Sequence, residues 1–226
     1  MRTHERKRIL VTIPSTYASC REIIKGLGCY CRRKDDWEVT LTQAERLSVG
    51  DLRQSIENEP RIDGVIDNES HLPELVEAFA GTDIPIVVIG SPKSGSYPAA
   101  RNIVFVELDN RAVGAFAAQY LAELGNFASY AFISAQTEAS WSLIRHDGYV
   151  DFFRKLGTPV MEHQSGQGAA ALEAFIANLP KPAAIMCAWD SLAVEAVNAC
   201  RQVGVNVPRQ ATIIGVDNDE TICEFV

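Results

Sequence analysis

Short apolar runs alternate along this chain with longer segments in which apolar residues recur every three or four positions, the signature of strands alternating with amphipathic helices. Residues 8–13 (RILVTI) read as a strand, and 18–34 as a helix carrying Ile23, Ile24, Leu27 and Tyr30 on one face. Strand 37–42 (WEVTLT), helix 48–58 and strand 62–67 (IDGVID) come next. Helix 72–80, with Pro73 in its first turn, then leads into strand 84–90. Strands separated by helices of this length form a parallel sheet.

The rhythm breaks at Ser91-Pro92-Lys93-Ser94-Gly95-Ser96-Tyr97-Pro98, a loop dense in turn-forming residues. A short strand, 103–107, follows, and the alternation restarts: helix 110–124, strand 128–134, helix 140–156, strand 158–163, helix 168–178, strand 183–188, helix 190–203 and strand 211–216. Gly125, Gly157 and Gly204 stand at three of the helix ends, where a left-handed cap suits glycine. The boundary is expected within 95–108, dividing the chain into an N-terminal unit 1–100 and a C-terminal unit 101–226. The predicted fold is α/β, two Rossmann-like lobes with parallel sheets whose carboxyl edges face one cleft. Only nine residues follow Asp217. The second lobe is therefore expected to be incomplete, a piece of something longer, because an uncovered last strand exposes apolar surface.

Composition narrows the function classes. With 21 basic and 29 acidic residues the formal charge is −8, which opposes non-specific contact with phosphate backbones. The basic cluster Arg2, Arg6, Lys7, Arg8 runs straight into an apolar strand and reads as a solvated tail. At 47% apolar the chain supports a core, yet it has no run long enough to span a bilayer. The run Ile9–Ile13 is too short for a signal-peptide core and stops at Pro14, although Tyr17-Ala18-Ser19-Cys20 faintly resembles a lipoprotein cleavage site. Six cysteines include no C-x-x-C pair and no histidine at zinc-ligand spacing, so reduced thiols, no metal and a cytoplasmic setting are expected.

The candidate chemistry lies at strand ends. Strands 183–188 and 211–216 each run into an acidic residue, Asp190 and Asp217, placing two carboxylates side by side at a carboxyl edge. Taken singly, each has a plain structural reading: a helix N-cap for Asp190, and a turn within Gly-Val-Asp-Asn-Asp-Glu for Asp217. Asp109, just before the helix at Asn110, is an N-cap by the same logic. Arg145, early in helix 140–156, is either a surface arginine or a guanidinium facing those carboxylates. In the second case donors and acceptors together suit vicinal hydroxyls, hence a sugar. Trp189 and Tyr17, on strand-end loops, could stack on a pyranose face or simply pack. Arg21 in the first turn of helix 18–34 is electrostatically out of place there, which mildly favours a ligand role.

Catalytic and cofactor signatures are missing. No G-x-G-x-x-G or G-x-x-x-x-G-K-[ST] follows a strand, and Gly26-Leu27-Gly28 lies inside a helix. There is no G-x-S-x-G and no H-E-x-x-H. Neither a catalytic residue nor a cofactor is assigned.

Four segments together carry a resemblance: Glu107-Leu108-Asp109-Asn110-Arg111-Ala112-Val113-Gly114, Ile144-Arg145-His146-Asp147-Gly148-Tyr149, Ala188-Trp189-Asp190-Ser191-Leu192-Ala193 and Ile214-Gly215-Val216-Asp217-Asn218. In order and spacing the chain resembles the type I ligand-binding core shared by periplasmic sugar-binding proteins and lac-repressor-type (LacI/GalR) transcription factors. Its start, with Arg21-Glu22-Ile23-Ile24-Lys25-Gly26-Leu27, looks most like the xylose operon regulators, in which the sensor comes first and an AraC-type DNA-binding region follows. The resemblance implies a cytoplasmic, homodimeric pentose sensor that closes on its sugar, with DNA contacted only by a region outside this chain. It also implies that Asp109, Arg145, Asp190 and Asp217 contact sugar hydroxyls. Trp189 stands where the family commonly has Asn, so stacking replaces a hydrogen bond there. The rival readings are a solute-binding protein for sugar transport or chemotaxis, and an α/β sugar isomerase or racemase using paired carboxylates as acid and base.

Overall fold

The structure is a computed structural model, and it describes residues 6–34, 36–42, 48–58, 61–68, 71–90, 102–136 and 139–226. The chain divides into two compact units, 1–108 and 109–226.

The first unit carries β1 (Lys7–Val11), α1 (Ala18–Lys34), β2 (Trp37–Leu41), α2 (Val49–Asn58), β3 (Gly64–Asn68), α3 (Leu72–Ala78), β4 (Ile86–Ile89) and β5 (Ile103–Val106). Its five strands are parallel, in the order β2-β1-β3-β4-β5. Alternate residues of β1 serve opposite faces, as strand geometry requires. Ile9 and Val11 pack with Cys20, Ile23, Ile24 and Leu27 of α1, whereas Leu10 packs with Leu52 of α2 and with Leu72 and Leu75 of α3. The sequence reading gave residues 101–108 to the second unit. In the structure β5 pairs in register with β4, Ile86 opposite Ile103, so the boundary shifts to Leu108/Asp109. The expected turn-rich loop at 91–98 lies outside the described residues.

The second unit carries α4 (Asn110–Leu124), β6 (Ser129–Ser134), α5 (Ser140–Lys155), β7 (Val160–Gln164), α6 (Ala169–Asn178), β8 (Ala183–Cys187), α7 (Asp190–Gln202), β9 (Ala211–Ile214) and α8 (Glu220–Cys223). Its sheet, also parallel, runs β7-β6-β8-β9. The order in which strands are added reverses between β6 and β8, the switch point at whose carboxyl ends open α/β sheets bind ligands. Every residue of β8 is buried, which is why it reads as an unbroken apolar run rather than an alternating one. Around it Phe132, Tyr149, Phe153, Leu121 and Ile176 are almost wholly inaccessible. The single turn of α8 follows β9, where the sequence reading expected no further helix.

One contact sets the geometry of this unit. Helices α4 and α5 cross at Gly114 and Gly148, and each glycine lies against the backbone of the other helix. A Cβ on Gly114 would stand 1.9 Å from the Arg145 carbonyl oxygen, and one on Gly148 would stand 2.1 Å from that of Arg111. No side chain fits in either gap, so both positions require glycine. Across the outer side of the same crossing Arg111 forms ion pairs with Asp147 and Asp151.

Gly148→Ala is expected to destabilise the second unit by about 2 kcal/mol or more, because backbone rather than a flexible side chain must move. Gly26→Ala, in the open interior of α1 with nothing within 4 Å, is expected to stabilise by about 0.5–1 kcal/mol. Urea unfolding of both variants measures the contrast.

Candidate functional site

The close crossing of α4 and α5 delivers Arg145 to the carboxyl edge of the second sheet. Its guanidinium is buried, with the residue only 6% exposed. Nε donates to Asn110 Oδ1 at 2.9 Å, and Nη1 donates to the Ala188 carbonyl oxygen at the end of β8 at 2.6 Å. Nη2 lies 4.0 Å from Asp217 Oδ1, longer than a hydrogen bond. The guanidinium carbon also sits 4.9 Å from the centre of the Trp141 ring, within cation–π range. Burial pulls the Arg145 pKa below its ordinary value, and the charges of Asp217 and Asp190 oppose that pull. An arginine with such neighbours stays cationic. Two of its N–H groups are engaged, and the remainder, on Nη1 and Nη2, are available to a ligand oxygen.

Asp190 is not the N-cap that its position suggests. It is the first residue of α7, after Trp189 in extended backbone. Its own N–H donates to the Val216 carbonyl oxygen at 3.0 Å, and its Oδ2 accepts from the Asp219 N–H at 2.7 Å. Gly215 makes this approach possible, since a Cβ there would stand 2.2 Å from Asp190 Oδ1. Asp190 thus clamps the turn after β9, and that use of its carboxylate competes with the expected hydroxyl contact. The clamped turn holds Asp217 at φ 101° and Asn218 at φ 52°, the left-handed region that non-glycine residues rarely occupy. The Asp217 side chain keeps 21% of its exposure. Burial raises its carboxyl pKa, Arg145 lowers it, and Asp190 and Asp219 raise it further.

Asp109 caps α4, its Oδ1 accepting from the Ala112 N–H at 2.9 Å, and the residue is exposed. That carboxylate oxygen is engaged by the helix. Trp189 and Trp141 face each other across 6.1 Å at an interplanar angle of 60°. Ser142 adds a brace, its Oγ accepting from the Ala135 N–H just beyond β6.

Tyr17 and Arg21 belong to the first unit, beyond the carboxyl end of β1. Tyr17 is 45% exposed. Arg21 is not electrostatically misplaced, because Nη1 reaches back to the carbonyl oxygens of Ser15 and Thr16 at 3.2 and 2.8 Å. The helix-end misfit that pointed to a ligand therefore has a local structural cause.

Arg145, Trp189, Asp190 and Asp217 thus form one cluster, Asp109 stands beside it at the start of α4, and Tyr17 and Arg21 lie on the other unit. Sequence reasoning missed Asn110 and Trp141, the two side chains that orient the guanidinium. Trp141 lies one helical turn before Arg145, and that i,i+4 spacing was the available signal. Among the described residues no group of His, Cys, Asp or Glu could hold a metal ion, and no helix is long and apolar enough to cross a membrane.

The backbone of Asp217 stores strain. Asp217→Gly and Asp217→Ala remove the same carboxylate, but only glycine adopts φ 101° freely. The glycine variant is expected to be more stable by about 1 kcal/mol, measured by urea unfolding of the two proteins side by side.

Residues 118–226 match the model of the periplasmic binding protein-like domain. The xylose operon regulatory protein of Haemophilus influenzae is 26% identical over 216 residues, which cover 89% of this chain and 53% of that protein. A structure of a xylose-binding transcription activator superposes with a TM-score of 0.78 at 22% identity, covering 97% of this chain and 56% of that one. A periplasmic binding protein/LacI transcriptional regulator from Alkaliphilus metalliredigens, complexed with D-xylulofuranose, gives a TM-score of 0.70 at 20% identity, covering 97% of this chain and 81% of that one. The chain spans about half the length of the regulatory proteins it matches. The chain is thus similar along most of its length to xylose operon regulatory proteins, it is built of two parallel-sheet α/β units, and most of its second unit matches the periplasmic binding protein-like domain.

Proposed function

We propose that this chain is the sugar-binding effector part of a transcription regulator and that its ligand is a pentose. The observation that carries the proposal is the buried Arg145 guanidinium, held in one orientation with N–H donors still open beside the Asp217 carboxylate and two indole rings. A hydroxyl both donates and accepts, so a polyol satisfies this mixed set where a simple anion or cation satisfies half of it. Charge-assisted hydrogen bonds from a desolvated guanidinium are strong and directional, which favours recognition of hydroxyl stereochemistry. The indoles supply an apolar wall for the C–H face of the ring. Asp109, Tyr17 and Arg21 remain proposed contacts of the same ligand, and Asp190 acts mainly through the turn it holds.

A sugar shifts the equilibrium between conformations only by its differential affinity for them. On this reading, lobe closure on the sugar is the signal, and DNA is contacted by a region outside the 226 residues. The working form is a cytoplasmic homodimer. The relatives named as xylose operon regulators and as a xylose-binding activator support the choice of pentose. Nothing in the cluster calls for a catalytic step, and the relatives found are regulators and binding proteins.

Thermal denaturation with D-xylose, D-ribose, L-arabinose and D-glucose tests the proposal. A pentose at saturation is expected to raise the melting temperature of the chain. Arg145→Lys keeps the charge but loses the fork, and is expected to weaken binding at least about tenfold. Trp141→Ala is expected to weaken it severalfold, and Trp141→Phe to restore most of the loss. An unchanged pentose-induced shift in both Arg145→Lys and Asp217→Ala would overturn the site assignment.

A further inference from the structure

A groove of about 910 Å³ opens in the second unit between α6 and α7, and it touches the guanidinium cluster only through Trp189. Right-handed crossovers in a sheet ordered β7-β6-β8-β9 put α6 and α7 on the face opposite α5, the helix that carries Arg145. Its floor is Ile133 of β6 and His163 of β7, and its apolar walls are Leu172 of α6 and Leu192 of α7. The volume lies within the range of small-molecule pockets.

Two independent features give the groove a chemical preference. Glu173 on α6 and Glu195 on α7 line it from facing helices, neither pairs with a basic side chain among the described residues, and no lysine or arginine is among the lining residues. His163 is buried to nine-tenths, with its ring stacked on Phe175 at 5.1 Å, and among the described residues its ring nitrogens form no hydrogen bond. Burial lowers the His163 pKa, which keeps the ring neutral and one nitrogen an acceptor. The charged groups that line the groove are therefore both carboxylates, with the aliphatic side chains of Leu172 and Leu192 also in its lining. Glu173 is half-buried and Glu195 exposed, so the groove carries negative charge that no basic lining residue offsets, and a cation with N–H donors complements it.

We propose that this groove is a second ligand site, neighbouring the sugar cluster and sharing only Trp189 with it, and that it takes a small organic cation with an aliphatic body, of the alkyl diamine class. One ammonium pairs with Glu173 and the other with Glu195, while the methylene chain lies over Leu172 and Leu192. His163 accepts a hydrogen bond from the ammonium nearer the floor. Trp189, at the carboxyl edge, lines the mouth and offers a ring face to the cation. This site does not depend on the sugar reading.

The test is calorimetric titration of the full chain with 1,4-diaminobutane at physiological salt, beside 1,4-butanediol, which has the same body without charge. Diamine binding is expected, with none for the diol. Glu173→Gln combined with Glu195→Gln is expected to weaken it at least about tenfold, whereas Glu38→Gln combined with Glu123→Gln, exposed acids outside the groove, leaves it unchanged. Arg145→Lys, which disables the proposed sugar site, is expected to leave diamine binding intact, so the two proposals fail separately. No diamine binding, equal binding of the diol, or equal loss in the two charge-removal pairs would overturn the proposal. The last outcome would assign the effect to the overall charge of −8 rather than to the groove.

Discussion

Burying one guanidinium organises the carboxyl edge of the second unit. A charge removed from water is tolerated only where hydrogen bonds and opposite charge surround it. Arg145 meets that condition with four kinds of partner: an amide oxygen, a backbone carbonyl, an indole face and two carboxylates. Each partner comes from a different element, so the charge ties α4, α5, β8 and the turn after β9 to one another. The tie forms only because α4 and α5 touch backbone to backbone at Gly114 and Gly148. A wider crossing would carry the Arg145 side chain away from Asn110 and from the end of β8.

Rigidity at this edge comes from the turn that presents Asp217. Asp190 holds that turn by two hydrogen bonds, and Gly215 lets the two segments meet. The result is a carboxylate on strained backbone, set just beyond hydrogen-bond reach of Arg145. Had the two met directly, each would satisfy the other and little would remain for a ligand. Strain at such a point is commonly the cost of holding a binding group in place before its ligand arrives.

Much of the fold was legible because period and punctuation agreed. Helices at Ala18–Lys34 and Asn110–Leu124 fall where the apolar spacing and the flanking residues placed them. The boundary between units was harder to read. Strand 103–106 follows a turn-rich loop, and nothing local says that it pairs back to Ile86–Ile89. At the site, residue types were readable but partnerships were not. Asp109 behaves as the cap its position announces, whereas Asp190, in the same local pattern, spends its carboxylate on an amide 29 residues away. Asn110 and Trp141 escaped notice because their importance lies in what they touch. The local partners of Arg21 were hidden for the same reason, since the carbonyl oxygens it bonds precede its helix in the chain.

The central claim is that Arg145 is a preoriented, incompletely satisfied donor that a pentose completes. Nitrogen-15 NMR of the arginine Nε–H groups addresses it directly. In the free protein one Nε–H, lost in Asn110→Ala, is expected to exchange slowly with solvent because it is buried and donates to Asn110. Addition of the binding pentose should move that resonance and slow its exchange further. A pentose that binds while leaving this resonance in place would contradict the claim.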